Sequence, residues 1–281
     1  MTDYFQEARA ARRKVLELIY KAQTSHIGSN FSCIDILTVL FDKIDLDKDQ
    51  FILSKGWAAA SLYYFLWKRG RITEEQLNSF CQEGSPFIGL AEPVIPEIKI
   101  AGGSMGIGLP GAVGLALAKK FKDEEGKIYC LMGDGELQCG TTWESILIAT
   151  HYKLNNLVVI IDRNSLQALG RMEEIINMET DWDATLYSKF RSFGWEVKGG
   201  NGHDYQDVED FLIGREWKDN KEERDKYHFS RLRVQMNPKI FIAHTIKGKG
   251  VSFMENNNEW HYRAPNKEHY EKALTELHSQ T

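Results

Sequence analysis

Residues 127–164 decide the fold, and they read KIYCLMGDGELQCGTTWESILIATHYKLNNLVVIIDRN. Ile128–Met132 is a continuous apolar run of strand length, Trp143–Tyr152 has helical spacing, and Leu157–Ile161 is a second apolar run. Strand, helix and strand in this order predict a βαβ unit, in which a right-handed crossover joins two parallel strands. This unit indicates a parallel sheet.

The rest of the chain continues the alternation. Further strands are predicted within Gln50–Gly56 and at Trp195–Lys198 and Ile240–Thr245. Helices are predicted at Tyr4–Ala22, Ile34–Phe41, Ala58–Trp67, Thr73–Phe80, Ala112–Ala118 and Trp182–Phe193, and after Pro265. We therefore expect an α/β fold with a doubly wound, mostly parallel sheet, formed as a single domain over residues 1–281.

Three other segments have a predicted character. Thr24–Asn30 is a polar loop, Gly84–Pro96 is a long loop rich in Gly and Pro, and the charged stretch at about 207–233 is an exposed helix or insertion. The basic side of the first helix, which includes Arg12, is predicted to be a solvated face.

Composition excludes several function classes. The 281 residues carry a formal net charge of −5, so no global positive field attracts nucleic acid or an anionic membrane. The apolar runs are far shorter than the roughly 20 residues of a membrane helix. The four cysteines form no Cys-x-x-Cys pair, and the N-terminus lacks the profile of a signal peptide, so we expect a cytoplasmic protein.

Oxygen-bearing side chains follow both strands of the βαβ unit. Asp134 lies between Gly133 and Gly135 after the first strand, and Asn164 follows the second strand. Because the carboxyl ends of parallel strands meet at one edge, these two side chains are expected to face each other across a crevice. A carboxylate and an amide oxygen suit Mg²⁺ or Ca²⁺, which bridges to phosphate, and the glycines allow close approach. A Gly-Asp-Gly triplet alone is typical of an ordinary turn, but Asn164 in this position strengthens the metal hypothesis.

This pattern resembles the signature of thiamine-diphosphate enzymes, in which Gly-Asp-Gly and a downstream Asn hold the cofactor's divalent ion. The resemblance implies that the main-chain carbonyl of Leu166 is the third protein ligand. The surrounding motifs are similar to the N-terminal, diphosphate-binding section of transketolase, in order from about residue 8 to about residue 265. They are Leu53–Gly56, Gly103–Gly108, Gly133–Leu137, Thr142–Glu144, Asp162–Gln167, Phe193–Trp195, Asn201–Asp204 and Thr245–Gly250.

The resemblance implies further site residues. Gly103, Ser104 and Met105 match a loop that contacts the thiazolium and pyrimidine rings, and His26 and His261 match active-site histidines. Glycines before a helix also let its N-terminus approach an anion or a flat ring.

Three positions depart from the family pattern. Trp57 replaces a histidine, Gly89–Glu92 replaces a Gly-His-Pro loop, and Cys139 replaces a glutamate. The first two changes remove polar groups that in transketolase contact the diphosphate or the donor's terminal hydroxyl. We therefore expect a donor other than an ordinary phosphorylated ketose.

The resemblance also implies a partner. Transketolase continues far beyond a section of this kind, whereas this chain ends at Thr281. We expect a C-terminal transketolase-like subunit that carries the pyrimidine-binding domain and its catalytic glutamate, in an α₂β₂ assembly. The implied reaction is transfer of a two-carbon ketol unit from a ketose to an aldehyde or ketone. Two alternatives stay open: an acetyl-transferring carboligase that uses pyruvate or another 2-oxo acid, and a non-catalytic regulatory subunit with a decayed site.

Overall fold

A computed structural model of the chain describes residues 2–175, 182–215 and 237–279. In these ranges five strands form one sheet with the order β1-β2-β3-β5-β4. The strands are β1 (Gln50–Leu53), β2 (Ile128–Gly133), β3 (Leu157–Arg163), β4 (Glu196–Asn201) and β5 (Lys239–His244). All four neighbouring pairs are parallel, which confirms the predicted sheet.

Helices connect the strands. The helices are α1 (Tyr4–Ala22), α2 (Ile27–Lys43), α3 (Ala59–Lys68), α4 (Glu74–Asn78), α5 (Gly108–Lys122), α6 (Gly140–His151), α7 (Met172–Ile175), α8 (Trp182–Ser192), α9 (Tyr205–Leu212) and α10 (Lys267–Ser279). Single 3₁₀ turns occur at Gly56–Ala58, Asp134–Gln138 and Asn258–His261. Within the described ranges, no helix has the length and apolar character to cross a membrane.

The sheet lies between two helical layers. Leu131, Ile160 and Phe241 point to one face and pack with residues of α1, α2, α3, α9 and α10. Their neighbours Cys130, Val159 and Ile242 point to the other face and pack with residues of α5, α6 and α8. Because successive side chains of a strand alternate between faces, continuous apolar strands fill both cores. The doubly wound α/β architecture is confirmed.

The prediction of a polar loop at Thr24–Asn30 is wrong for the second half of that segment. Helix α2 begins at Ile27, not at Ile34, directly after His26 in a left-handed conformation (φ 71°). Asn30 lies in its first turn, where its Nδ2 donates to the His26 carbonyl (2.9 Å) and its Oδ1 accepts from the Ser61 amide (2.9 Å). Asn30 therefore connects α2 to α3 instead of lying in a loop, whereas Thr24–His26 lie between α1 and α2.

The prediction for the basic side of α1 is wrong at Arg12. This guanidinium is buried and forms two hydrogen bonds to the Asp35 carboxylate, at 2.9 and 2.6 Å. The charged stretch at about 207–233 begins inside α9, where Val208 and Phe211 are buried. Its most charged run, 218–226, lies outside the described residues.

Candidate functional site

The site lies at the carboxyl ends of β2, β3 and β5, on the loops that follow them. Asp134 comes directly after β2, and its Oδ2 accepts a hydrogen bond of 2.7 Å from the main-chain amide of Ser165 in the loop after β3. The structure therefore brings the Gly-Asp-Gly turn against residues 164–166, as the parallel topology requires.

Asp134 is a buried carboxylate, and among the described residues only one of its two oxygens accepts hydrogen bonds. The Arg163 guanidinium lies 3.4 Å from Oδ2, and no hydrogen-bond donor in the described part of the chain contacts Oδ1. Burial raises the pKa of Asp134 to about 6, although Arg163 opposes this increase. The charged form is thus costly in the free protein, and a bound cation would offset that cost.

Asn164 is held in place from both ends of its amide. Its Oδ1 accepts from the Leu166 amide at 3.1 Å, and its Nδ2 donates to Asp162 Oδ1 at 3.3 Å. Asp162 is completely buried and accepts from Lys55, from Thr245 and, at 2.6 Å, from the Ser32 hydroxyl. An ion pair in the core thus orients the amide that was predicted to bind the metal.

The glycine-rich loop at 103–106 is hydrogen-bonded to the end of β1 and lies beside the Gly-Asp-Gly turn. The Gly103 amide donates to the Ser54 carbonyl (3.2 Å), and a methyl group added at Gly135 would lie 3.8 Å from the Met105 sulfur. Met105 and Ser104 are exposed beside the crevice. The predicted cofactor loop and the Gly-Asp-Gly turn are therefore neighbours.

A buried glutamate that sequence reasoning did not assign connects these two loops. Glu136 Oε2 accepts from the Ser54 hydroxyl and, at 3.2 Å, from the Gly106 amide, while Oε1 accepts from the Gly133 amide at 2.9 Å. The available signal was its place two residues after Asp134.

The two predicted histidines are also brought together. The His26 amide donates to the His261 carbonyl (2.9 Å), and the two ring centroids are 4.8 Å apart. Burial, together with the nearby Lys247 ammonium, lowers the pKa of His26 to about 4 and that of His261 to about 3. Both rings are therefore uncharged at neutral pH.

These shifts predict a stability that falls with acidification. Between pH 6.5 and about 4 the unfolded chain takes up a proton on each of these histidines while the folded chain does not, so the free energy of unfolding decreases as the pH falls. Urea unfolding across this range measures the effect. His26→Asn keeps the left-handed backbone conformation, which Asn tolerates, and should give a shallower slope. Equal slopes for both proteins would contradict the role of His26.

Lys247 is a further buried group, which sequence reasoning placed only within a motif. Its Nζ lies 2.7 Å from His261 Nδ1 and 3.4 Å from the Leu166 carbonyl. Within the described ranges no carboxylate forms a salt bridge with it, and burial lowers its pKa to about 8. A buried cation without a carboxylate partner is typical of an anion-binding site.

The departures from the family pattern line the same site. Trp57 stacks on His26, with ring centroids 4.6 Å apart, and its Nε1 donates to the Gly103 carbonyl (3.1 Å). The Leu90 side chain covers Gly103, and Cys139 lies against Gly106. Two apolar side chains and a thiol thus border the predicted cofactor loop.

The donor set fits a hard divalent ion whose remaining coordination positions would be filled by phosphate oxygens. Among the described residues, no three His, Cys, Asp or Glu side chains are close enough to hold a metal without other ligands. Asp134, Asn164 and the Leu166 carbonyl lie on the adjoining loops after β2 and β3 and offer carboxylate, amide and carbonyl oxygens, which suit Mg²⁺ or Ca²⁺. Lys247, whose Nζ lies 3.4 Å from that carbonyl oxygen, places a positive charge beside these ligands.

Comparison with known proteins identifies the family. Residues 5–273 match the family described as transketolase, thiamine diphosphate binding domain. The chain is 34% identical over 275 residues to a subunit of the apulose-4-phosphate transketolase of Phocaeicola vulgatus, covering 95% of this chain and 90% of the relative. It is 30% identical over 285 residues to the 6-deoxy-6-sulfo-D-fructose transketolase subunit SqwG of a Clostridium species, covering 98% and 96%.

Solved structures agree with these relatives. The crystal structure of Campylobacter jejuni transketolase matches with a TM-score of 0.82 and 28% identity, covering 99% of this chain and 43% of that chain. The chain thus spans less than half the length of that transketolase chain. The α/β fold, the site at its strand ends and the match over residues 5–273 lead to one conclusion: the chain belongs to the transketolase family and contains its thiamine diphosphate-binding domain.

Proposed function

We propose that this chain is the diphosphate- and metal-binding subunit of a two-chain transketolase, which transfers a two-carbon ketol unit from a ketose donor to an aldehyde or ketone acceptor. The observation that carries this proposal is the convergence of Asp134, Asn164 and the Leu166 carbonyl beside the buried Lys247. Two relatives that are named as single subunits of a transketolase, and that the chain covers over 90% or more of their length, support a split enzyme.

The proposed metal site uses three oxygens. The Asp134 carboxylate, the Asn164 amide oxygen and the Leu166 carbonyl would hold Mg²⁺ or Ca²⁺, which in turn binds the diphosphate. Gly133 and Gly135 leave room for the phosphates, since nothing lies closer than 3.8 Å to a methyl group added at either position. Lys247 would neutralise a remaining phosphate charge.

The proposed ring- and substrate-binding groups are the cofactor loop and the two histidines, of which His261 contacts Lys247. Gly103, Ser104 and Met105 would contact the cofactor rings, and His26 and His261 would hydrogen-bond to substrate oxygens. Thiamine diphosphate, when bound, supplies the electron sink that stabilises a carbanion at a former carbonyl carbon. This chain contributes binding, orientation and hydrogen-bond donors to that chemistry.

The partner is proposed to cover the site. Several large apolar side chains are exposed on the loops that carry site residues, including Met105, Ile107, Leu169 and Tyr262, of which Leu169 is 85% exposed. Apolar groups exposed together around a cleft are typical of an interaction surface. We infer a C-terminal transketolase-like subunit that carries the pyrimidine-binding domain and a catalytic glutamate, in an α₂β₂ assembly.

The four free cysteines support a reducing, cytoplasmic location.

Reconstitution tests the proposal. The chain is mixed with the candidate partner, and calorimetry measures thiamine diphosphate binding with and without Mg²⁺. We expect Mg²⁺-dependent binding and transfer of a ketol unit from a ketose to an aldehyde. Absence of cofactor binding both with and without the partner would instead favour a non-catalytic regulatory subunit.

Acetyl transfer from a 2-oxo acid is a second candidate, and the environment of Trp57 favours it. The indole N–H is already bonded to Gly103, so Trp57 offers an apolar face beside His26 and no hydrogen bond to a donor hydroxyl. Hydroxypyruvate and pyruvate differ by that one hydroxyl and therefore distinguish the two functions. The ketol proposal predicts turnover of hydroxypyruvate, and the alternative predicts at least equal turnover of pyruvate.

A substitution at Trp57 sharpens this comparison. Trp57→His restores a polar group at this position, so the ratio of kcat/KM for hydroxypyruvate to that for pyruvate should rise by about tenfold. Trp67→His, at the end of α3, is the matched control and should leave the ratio unchanged. An unchanged ratio in Trp57→His would show that this indole does not contribute to donor choice.

A further inference from the structure

The Lys247 ammonium is surrounded by three groups that can accept a hydrogen bond. Its Nζ lies 2.7 Å from His261 Nδ1, 3.4 Å from the Leu166 carbonyl oxygen and 3.5 Å from Asn258 Oδ1. Lys247 is 2% exposed, so water cannot readily replace these partners. A lysine ammonium has three N–H donors and no acceptor.

Two of these partners can act only as hydrogen-bond acceptors toward Lys247. A main-chain carbonyl such as that of Leu166 only accepts. The orientation of the Asn258 amide is set by its Nδ2, which donates to the Ala168 carbonyl at 3.0 Å, so its Oδ1 is the atom that faces Lys247. The shortest contact, to His261 Nδ1, is a hydrogen bond only if that ring nitrogen carries a lone pair.

We infer that Lys247 is a positioning residue that fixes the tautomer of His261, with the proton on Nε2 and the lone pair on Nδ1. His261 then acts toward a ligand as a neutral hydrogen-bond donor and not as a base. Within the described residues its Nε2 has no hydrogen-bond partner, and this atom is not closed off from solvent. The burial-lowered pKa of the ring is consistent with a neutral histidine.

This donor fits a ligand oxygen that only accepts. A phosphate oxygen of the cofactor and the carbonyl oxygen of a donor substrate share that chemistry, and in naming them the inference rests on the proposed function. The tautomer itself does not, because it is set by Lys247 before any ligand binds.

Nitrogen NMR of the full chain, labelled with ¹⁵N-histidine, tests the tautomer directly. Long-range proton–nitrogen spectra at neutral pH distinguish a protonated ring nitrogen from one with a lone pair, and His261→Gln identifies the signals. We expect Nε2 of His261 to be protonated in the unliganded chain. A proton on Nδ1 would overturn the inference while leaving cofactor binding, measured separately by calorimetry, untouched.

Two variants test the role of the lysine. Lys247→Met removes the three donors and keeps a side chain of similar length, so the preference for protonated Nε2 should be lost. Lys249→Met is the matched control. Lys249 lies on the same loop, but its side chain is 35% exposed and forms an ion pair with Glu255, so this variant should leave the His261 signals unchanged. Unchanged signals in folded Lys247→Met would contradict the positioning role, and the wild-type spectrum remains decisive if that variant does not fold.

Ligand additions to the reconstituted complex identify the oxygen. A shift of the Nε2 proton on adding thiamine diphosphate and Mg²⁺ assigns the hydrogen bond to the diphosphate, and a shift only after adding hydroxypyruvate assigns it to the substrate. No shift with either ligand would contradict the assigned donor role.

Discussion

Replacing Asp134 with alanine should abolish metal-dependent binding of thiamine diphosphate. The variant loses the only carboxylate of the proposed metal site and leaves Asn164 and the Leu166 carbonyl, which carry no charge, as the remaining ligands. Loss of an outer-shell partner alone costs roughly 10–100-fold in metal affinity, and loss of a charged ligand should cost more. Calorimetry of the reconstituted complex, titrated with cofactor at fixed Mg²⁺ or Ca²⁺, measures the change.

Matched variants separate the metal effect from damage to the fold. Asp134→Asn keeps the shape and one acceptor for the Ser165 amide, so it should bind the cofactor more weakly than wild type but more tightly than the alanine variant. Glu124→Gln removes an exposed carboxylate remote from the site and should bind normally. Unaltered metal-dependent affinity in folded Asp134→Ala would show that the ion is not held at this position.

The secondary structure could be predicted where the signal was local. Leu157–Ile161 and Ile128–Met132 are apolar throughout because both faces of a doubly wound sheet are buried, and the structure forms strands at both places. The capping box at Thr73 was equally local, and it begins α4 as predicted.

Predictions failed where a distant partner decides the outcome. Arg12 belongs to a basic helical face in the sequence, but it is buried because it pairs with Asp35, 23 residues later. Asn30 was predicted to lie in a loop because polar residues favour loops, yet a hydrogen bond to Ser61 on α3 uses its side chain within α2. Neither partner can be identified from local patterns.

The candidate site shows the same difference between residues identified by local patterns and residues that depend on distant partners. Asp134 and Asn164 could be paired from the sequence because each ends a strand, and parallel strands end at one edge. Lys247, Glu136 and Lys55 could not be assigned, since their significance depends on burial and on partners between 3 and 107 residues away. The histidines came from the family resemblance, and only the structure shows that they touch.

The buried pair of Lys55 and Asp162 should be the most sensitive structural element of the site. Burial alone would raise the pKa of Asp162, but the Lys55 ammonium outweighs it and the pKa is lowered. Asp162→Asn leaves that ammonium without its counter-charge, so we expect a loss of roughly 3–5 kcal/mol in the free energy of unfolding. Urea unfolding measures this loss. Because Asp162 also holds the Asn164 amide, cofactor affinity should fall as well.

A double-mutant cycle distinguishes an unpaired charge from lost packing. Lys55→Met removes the stranded cation, so the double variant Lys55→Met/Asp162→Asn should lose less stability than the sum of the two single variants. Glu125→Gln, which breaks the exposed pair with Lys48, should have no resolvable effect on stability. Additive losses in the double variant would mean that the two side chains stabilise the protein independently. The orientation of Asn164 would then depend on Ser32 and Thr245, which bind the same carboxylate, and not on the ion pair.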